Sequence, residues 1–225
     1  MLVSRRGRVH ARDRATGGAV IVMHDGSLAV LTAPMPRPAL AGALAVLRAD
    51  APWLVPADDE RAHAVLREVI DAERDERATI YALPAVALHR IRVERDADVR
   101  WLMSPDAIDW AHVASDLRHE LAAAFAFSPV AAAFDQGEAV SFCYAGFQTE
   151  AHWDVSIDTI PRARRQGHAR RAAAFLIAHF RERGRRPVWG AVESNTASHA
   201  LARSLGFVPV DTLRVVTPRV PAVRR

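Results

Sequence analysis

The stretch Arg162-Ala-Arg-Arg-Gln-Gly-His-Ala-Arg-Arg171, RARRQGHARR in one-letter form, sets five arginines around a single glycine. Arginine clusters read phosphate, whether it belongs to a nucleic acid or to a small ligand. The flanking residues decide between the two. Upstream, Trp153–Ile160 alternates apolar and polar residues as a strand does. Downstream, Ala169, Ala172, Ala173, Leu176, Ile177 and Phe180 fall at helical spacing, and Gly184 ends the run. The arginine stretch therefore joins a strand to the first turn of an amphipathic helix. Backbone N–H groups there have no intrahelical acceptor and suit an anion. Gly167 lets the backbone approach a phosphate where a side chain would block it, and small Ala169 lets the helix begin close to the loop. A pyrophosphate fits this arrangement better than a polynucleotide backbone does.

Composition agrees with a compact ligand more than it first suggests. The chain has 225 residues, 50% of them hydrophobic, enough for one large core or two modest ones. Its formal charge of +4 and pI near 10.4 resemble those of a nucleic-acid binder. Yet it contains no lysine and one asparagine, Asn195. Both residues have A-rich codons, so a GC-rich genome accounts for the arginine bias. Without lysine there is no Walker A lysine, no Schiff-base lysine and no Ser-x-x-Lys pair. G-x-S-x-G and G-x-G-x-x-G are also missing. His119-Glu120 opens like a zinc-protease helix, but Ala123 stands where the second histidine is needed. The lone Cys143 excludes an internal disulfide framework and any Cys-x-x-Cys metal site. The polar N-terminus and the lack of a long apolar run predict a cytoplasmic protein with no membrane span.

The first third reads as short strands and helices. Ala19–His24 and Ser27–Thr32 flank Asp25-Gly26, a hairpin signal. Pro38 opens a helix carrying Leu40, Leu44 and Leu47. Asp58 or Asp59 caps a second helix with the stripe Ala62, Val65, Leu66, Val69 and Ile70, and Ala78–Leu83 reads as a strand. A new unit starts near residue 95, with a strand over Arg100–Met103 and helical segments from Pro105 to about Phe125. Val130–Phe134 and Ala139–Phe147 are joined by the turn Asp135-Gln136-Gly137-Glu138. After the arginine loop and its helix come a strand over Pro187–Val192, a short helix from Asn195 to Leu205, and strand material from Phe207.

Arg164, Gly167 and Ala169 fill, in order, the signature Gln/Arg-x-x-Gly-x-Gly/Ala, with Pro161 three residues earlier. Asn195 opens the last helix, Ser198 follows one turn on, and Leu205-Gly206-Phe207 closes it. In these features residues 96–217 resemble the Gcn5-related N-acetyltransferase family. The resemblance implies an α/β (α+β) fold: a mixed, mostly antiparallel sheet flanked by helices, over residues 96–225. Residues 1–95 are expected to form a smaller α/β domain, a degenerate unit of the same fold by analogy. It also implies acetyl-CoA as co-substrate, without a metal, its pantetheine arm pairing with the strand at Ile157, Asp158 and Thr159. The Ile157 N–H would polarise the thioester carbonyl. Arg164, Arg165, Gln166, Gly167, His168, Ala169 and Arg170 would cradle the pyrophosphate, Arg170 or Arg171 would meet the 3′-phosphate, and Asn195 and Ser198 would face the pantetheine arm.

The departures from the family matter as much. Many relatives carry a tyrosine seven residues after this asparagine as general acid, and here Ala202 stands there. Some carry an acid five residues before it, and here Gly190 does. Glu193, at the end of its strand, becomes the candidate base. Glu150, Asp154, Asp158 and Glu193 would make an acidic mouth if they converge. The expected activity is transfer of acetyl to a primary amine of a small molecule by direct attack, with a homodimer allowed. The alternatives are a non-catalytic CoA-binding module and, less favoured, a nucleic-acid binder.

Overall fold

The computed structural model describes residues 7–94, 98–108 and 110–220. The chain divides into two compact units. The first draws on Val3–Ile80, Ala191–Thr196 and Val210–Arg225, the second on Tyr81–Gly190 and Ala197–Pro209. The boundary expected near residue 95 lies outside the described residues.

In the first unit β1 (Gly7–Arg12), β2 (Ala19–Met23) and β3 (Ala29–Leu31) form an antiparallel meander. The β2–β3 hairpin turns at Asp25-Gly26 as its sequence predicts: Gly26 takes φ +69°, and Asp25 Oδ1 accepts from the Ser27 N–H and hydroxyl. Helix α1 (Arg37–Leu44) then crosses over, and β4 (Trp53–Pro56) pairs parallel to β3. Helix α2 (Glu60–Arg67) is capped by Asp59, whose Oδ1 accepts from the Ala62 N–H at 2.9 Å. Leu40, Ala43, Ala62 and Leu66 from the two helices close over Val20, Leu31, Trp53 and Val55. Strand β5 (Ala72–Ala82) follows, and β11 (Val208–Pro218) pairs antiparallel with β4.

The second unit begins with α3 (Ala85–Arg90). Its sheet runs in the order β6 (Val99–Leu102), β7 (Val130–Asp135), β8 (Glu138–Gln148), β9 (His152–Thr159) and β10 (Arg186–Val192). Only β9 and β10 pair in parallel. The helical region after Pro105 resolves into two short 3-10 turns and α4 (Ser115–Ala124). Leu121 and Ala124 of α4 pack with Val130, Ala132, Phe142 and Tyr144. Helix α5 (His168–Arg181) buries Ala172, Ala173, Leu176, Ile177 and Phe180, and Phe180 stacks on Trp153 with ring centres 4.5 Å apart. Arg181 is structural, its Nη1 donating to the Leu88 and Ile91 carbonyls at 3.2 Å each. In α6 (Thr196–Ser204), the Ser198 hydroxyl accepts from the Trp189 indole N–H at 2.8 Å. This is a mixed α/β fold with a mostly antiparallel sheet flanked by helices.

The connectivity repeats. The path β1-β2-β3-α1-β4-α2-β5 has the same order and strand directions as β7-β8-β9-α5-β10-α6-β11 up to its parallel crossover.

Sequence patterning finds neither β1 nor β4, nor the first half of β5, where the run Ala72-Glu-Arg-Asp-Glu-Arg77 has no apolar alternation. A polar tie fixes that half. The Asp75 carboxylate meets His63 Nε2 of α2 at 2.6 Å and Arg214 Nε of β11 at 3.0 Å, with all three side chains at most 20% exposed. These two partners outweigh burial and hold Asp75 below its ordinary carboxylate range. A depressed carboxylate contributes stability that is present above its unfolded pKa and lost as pH falls through the folded one. Asp75→Asn is therefore expected to cost about 2 kcal/mol at pH 7. In thermal melts the gap to wild type should narrow steadily below pH 4.

Candidate functional site

Parallel pairing between β9 and β10 lasts three residues, from Arg186↔His152 to Val188↔Asp154. Beyond Asp154, β9 keeps β8 on one side only. Backbone parity then decides which groups face the open edge. The Ile160 N–H donates to the Val140 carbonyl of β8, so the even-numbered residues of β9 point their hydrogen-bonding groups towards β8. Val155, Ile157 and Thr159 point theirs outward. The outward Thr159 carbonyl accepts from Arg164 Nε at 3.1 Å, as this parity requires. Ile157 thus presents a free backbone N–H and carbonyl at an unpaired strand edge.

The chain leaves this edge through a 3-10 turn at Pro161–Ala163, anchored by buried Ala163 and an ion pair from Arg162 to Glu138. Arg165 (φ +63°) and Gly167 (φ +85°) both take left-handed backbone. The Arg164 N–H is used by Pro161 and that of Arg171 by Gly167. Between them the N–H groups of Arg165, Gln166, Gly167, His168, Ala169 and Arg170 find no acceptor among the described residues. Six successive unpaired donors, three of them in the first turn of a 14-residue helix, make a cradle of positive potential. A Cβ on Gly167 would stand 3.1 Å from Arg171 Nη1, so a side chain there intrudes on the cradle.

The opposite face of β9 carries Asp154, Ser156 and Asp158. Across from them on β8 stand Phe142, Tyr144 and Gly146. The Tyr144 hydroxyl donates to Glu120 Oε2 of α4 at 3.0 Å. A Cβ on Gly146 would lie 2.7 Å from Ser156 Oγ and 3.1 Å from Asp154 Oδ2, so only glycine leaves room for both groups. Burial pushes the Asp154 carboxyl up to about 7. Asp158 is raised by burial and by the Glu120 charge, with Arg164 pulling the other way. Burial, followed by the Glu120 charge, also raises the Tyr144 phenol, which leaves it a donor and not an anion. Burial pushes the Cys143 thiol up as well, so it offers no nucleophilic thiolate.

The second unit thus gathers Ile157, Asp158, Thr159, Arg164–Arg170 and Ser198, whereas Glu193 and Asn195 belong to the first. Glu193 is exposed, with its N–H on the Arg77 carbonyl, and Asn195 opens α6 with its N–H on the Val192 carbonyl. Glu150 is exposed on the turn before β9. Ala202 is fully buried. Sequence reasoning missed Glu120, Tyr144 and Gly146. No motif links Glu120 to Tyr144, which lie 24 residues apart on different elements. Among the described residues no cluster of histidine, cysteine or carboxylate side chains is arranged to hold a metal, and no helix is long and apolar enough to cross a membrane.

An open strand edge running into an N–H cradle is the feature on which the comparisons bear. The GNAT acetyltransferase family model matches residues 131–216. That part of the chain is similar to a GNAT acetyltransferase domain. Solved structures agree on the fold. A GCN5-related N-acetyltransferase-like protein from Streptococcus suis superposes with a TM-score of 0.68 at 16% identity, over 95% of this chain and 89% of that one. A GCN5-related N-acetyltransferase from Kribbella flavida gives 0.59 at 17%, over 98% and 91%. A tandem GNAT protein from the clavulanic acid biosynthesis pathway gives 0.57 at 14%, over 96% and 84%. No curated protein matches the chain in sequence.

The buried Asp154 carboxyl carries a stability cost of definite sign. A folded-state pKa raised to about 7 means that Asp154 disfavours the native state increasingly as pH rises from its unfolded value through 7. Asp154→Asn removes the charge at every pH. The variant is expected to melt higher than wild type at pH 8 and together with it at pH 4.5. Equal melting temperatures at both pH values would contradict the burial argument.

Proposed function

We propose that the protein is an acetyltransferase that moves an acetyl group from acetyl-CoA to the primary amine of a small cationic molecule. The observation that carries this reading is the run of six unpaired N–H groups beside the open edge of β9. An extended amide-bearing arm can pair with that edge while a pyrophosphate sits in the cradle. The loop Arg164–Arg170 holds the pyrophosphate, with Gly167 at its centre. Ile157 supplies a backbone N–H to the thioester oxygen as charge develops there. Ser198 serves as a further contact for the arm.

The acceptor approaches from the face bearing Asp154, Asp158 and Glu120, whose negative charge favours an ammonium. An ammonium must lose a proton before it attacks. Asp154, with its carboxyl near neutrality, and Asp158 are the groups best suited to take it. With the Cys143 thiol buried and raised, transfer is direct and passes through no acyl-enzyme.

The repeated connectivity suggests that the N-terminal part is a degenerate copy of the same fold, an arrangement that the word "tandem" describes for the clavulanic acid pathway protein.

Two experiments test the reading. Gly167→Glu puts bulk and negative charge into the cradle, and calorimetry should show acetyl-CoA binding weakened at least about tenfold. Unchanged affinity in the folded variant would sink the cradle. Release of CoA, followed with a panel of diamines and aminosugars, checks turnover. Asp158→Asn is expected to lower kcat by about a hundredfold with little change in acetyl-CoA affinity.

A further inference from the structure

His168 stands among the few buried polar residues of the described chain, 6% exposed at the first position of α5. Its Nδ1 lies 2.9 Å from Arg171 Nη2. A guanidinium only donates, so Nδ1 accepts and the imidazole is neutral, with its proton on Nε2. Burial and the neighbouring Arg171 charge keep the ring below its ordinary pKa, against a weaker pull from Asp135. The same guanidinium lies over the left-handed turn, its Nη1 3.1 Å from where a Gly167 Cβ would be. By contrast Arg170 is exposed with no partner among the described residues, Arg164 is spent on the Thr159 carbonyl, and Arg162 on Glu138. Of the five arginines in the stretch, Arg171 alone is fixed by a side chain in a position above the unpaired N–H groups.

We propose that His168 is a positioning residue whose neutral ring holds the Arg171 guanidinium over the Gly167 turn, and that this makes Arg171 the side chain that meets the pyrophosphate. A free arginine loses rotamer freedom when it grips an anion, whereas one already held by an acceptor is pre-organised. The acceptor must be uncharged and desolvated, because a carboxylate in its place would neutralise the guanidinium and compete with the phosphate. A buried neutral imidazole meets both requirements. The inference rests on the acetyl-CoA reading above and adds a division of labour to it.

The test is a double-mutant cycle on the full-length protein, with affinities for acetyl-CoA and for 3′-dephospho-acetyl-CoA measured by calorimetry. Arg171→Ala is expected to weaken acetyl-CoA binding about tenfold, and His168→Ala at least about threefold. The double variant should bind no more weakly than Arg171→Ala alone, because His168 acts only through that arginine. His168→Asn places an amide oxygen near the position of Nδ1 and should recover most of what His168→Ala loses. The loss in Arg171→Ala should be the same for the dephospho ligand.

Additive losses in the double variant, or no recovery with asparagine, would show His168 acting independently and overturn the inference. A loss that disappears with the dephospho ligand would move Arg171 to the 3′-phosphate and overturn it too. Wild-type protein that binds neither ligand would remove the acetyl-CoA reading and this inference together. That result is distinct from the others, all of which require wild-type binding.

Discussion

The early end of pairing between β9 and β10 is the constraint on which the site depends. After Asp154↔Val188 the two strands no longer share hydrogen bonds, so β9 runs on with one edge bare. An unpaired edge is ordinarily a hazard, because it invites another chain to add a strand. Here its exposed polar groups are few. Parity sends the groups of Asp158 and Ile160 to β8, and the Arg164 side chain covers the Thr159 carbonyl. What remains open is centred on Ile157, and the edge leads straight into the loop before α5. A strand that ends at a helix N-terminus places two kinds of unsatisfied donor side by side. The crevice beyond the carboxyl ends of parallel strands is the general place for ligands in such sheets.

The same parity sorts charge across the thickness of one strand. Trp153, Val155 and Ile157 face α5, whereas Asp154, Ser156 and Asp158 face the side packed by α4. Cations and helix N–H groups gather at the end of the strand, and carboxylates gather on its far face. Positive and negative groups thereby lie on separate sides of one strand. Neither set of charges is neutralised by the other, apart from the pull of Arg164 on Asp158. Burial without a counter-charge is what lifts Asp154 towards neutrality, the condition for exchanging protons near pH 7.

Much of this could be read in the sequence because local signals and tertiary packing agree. The Asp25-Gly26 hairpin, the Asp59 cap and the apolar stripe of α5 each form where their residues place them. Gly167 is legible as a point of close backbone approach, whereas its left-handed conformation and that of Arg165 carry no sequence signal. What escaped notice is long-range. Strand β4 is four residues long, and the charged half of β5 is held by Asp75 through partners 12 and 139 positions away. Likewise Asp154 and Asp158 are visible as carboxylates on one face, but their burial arises only on packing, and the Glu120 charge that acts on Asp158 comes from α4, far upstream in sequence. Charge state is a property of packing, and periodicity does not report it.

The two copies of the strand–helix–strand path show how little the fold itself determines. Both send a strand into a helix and return in parallel beside the first strand. In the second copy the junction contains Gly167 and six unpaired N–H groups. In the first, the junction Thr32-Ala-Pro-Met-Pro-Arg-Pro38 contains three prolines, which have no N–H to give, and none of its residues takes a positive φ. The next donor, the Ala39 N–H, is already bound to the Pro36 carbonyl at 2.9 Å. Proline at the start of a helix supports the helix itself, since its missing N–H would have gone unpaired anyway. The same prolines thin out the donors that an anion needs, leaving the N–H groups of Met35 and Arg37 between Pro34 and Ala39. The first junction is thus poor in free donors where the second, at Gly167, keeps unsatisfied groups in succession.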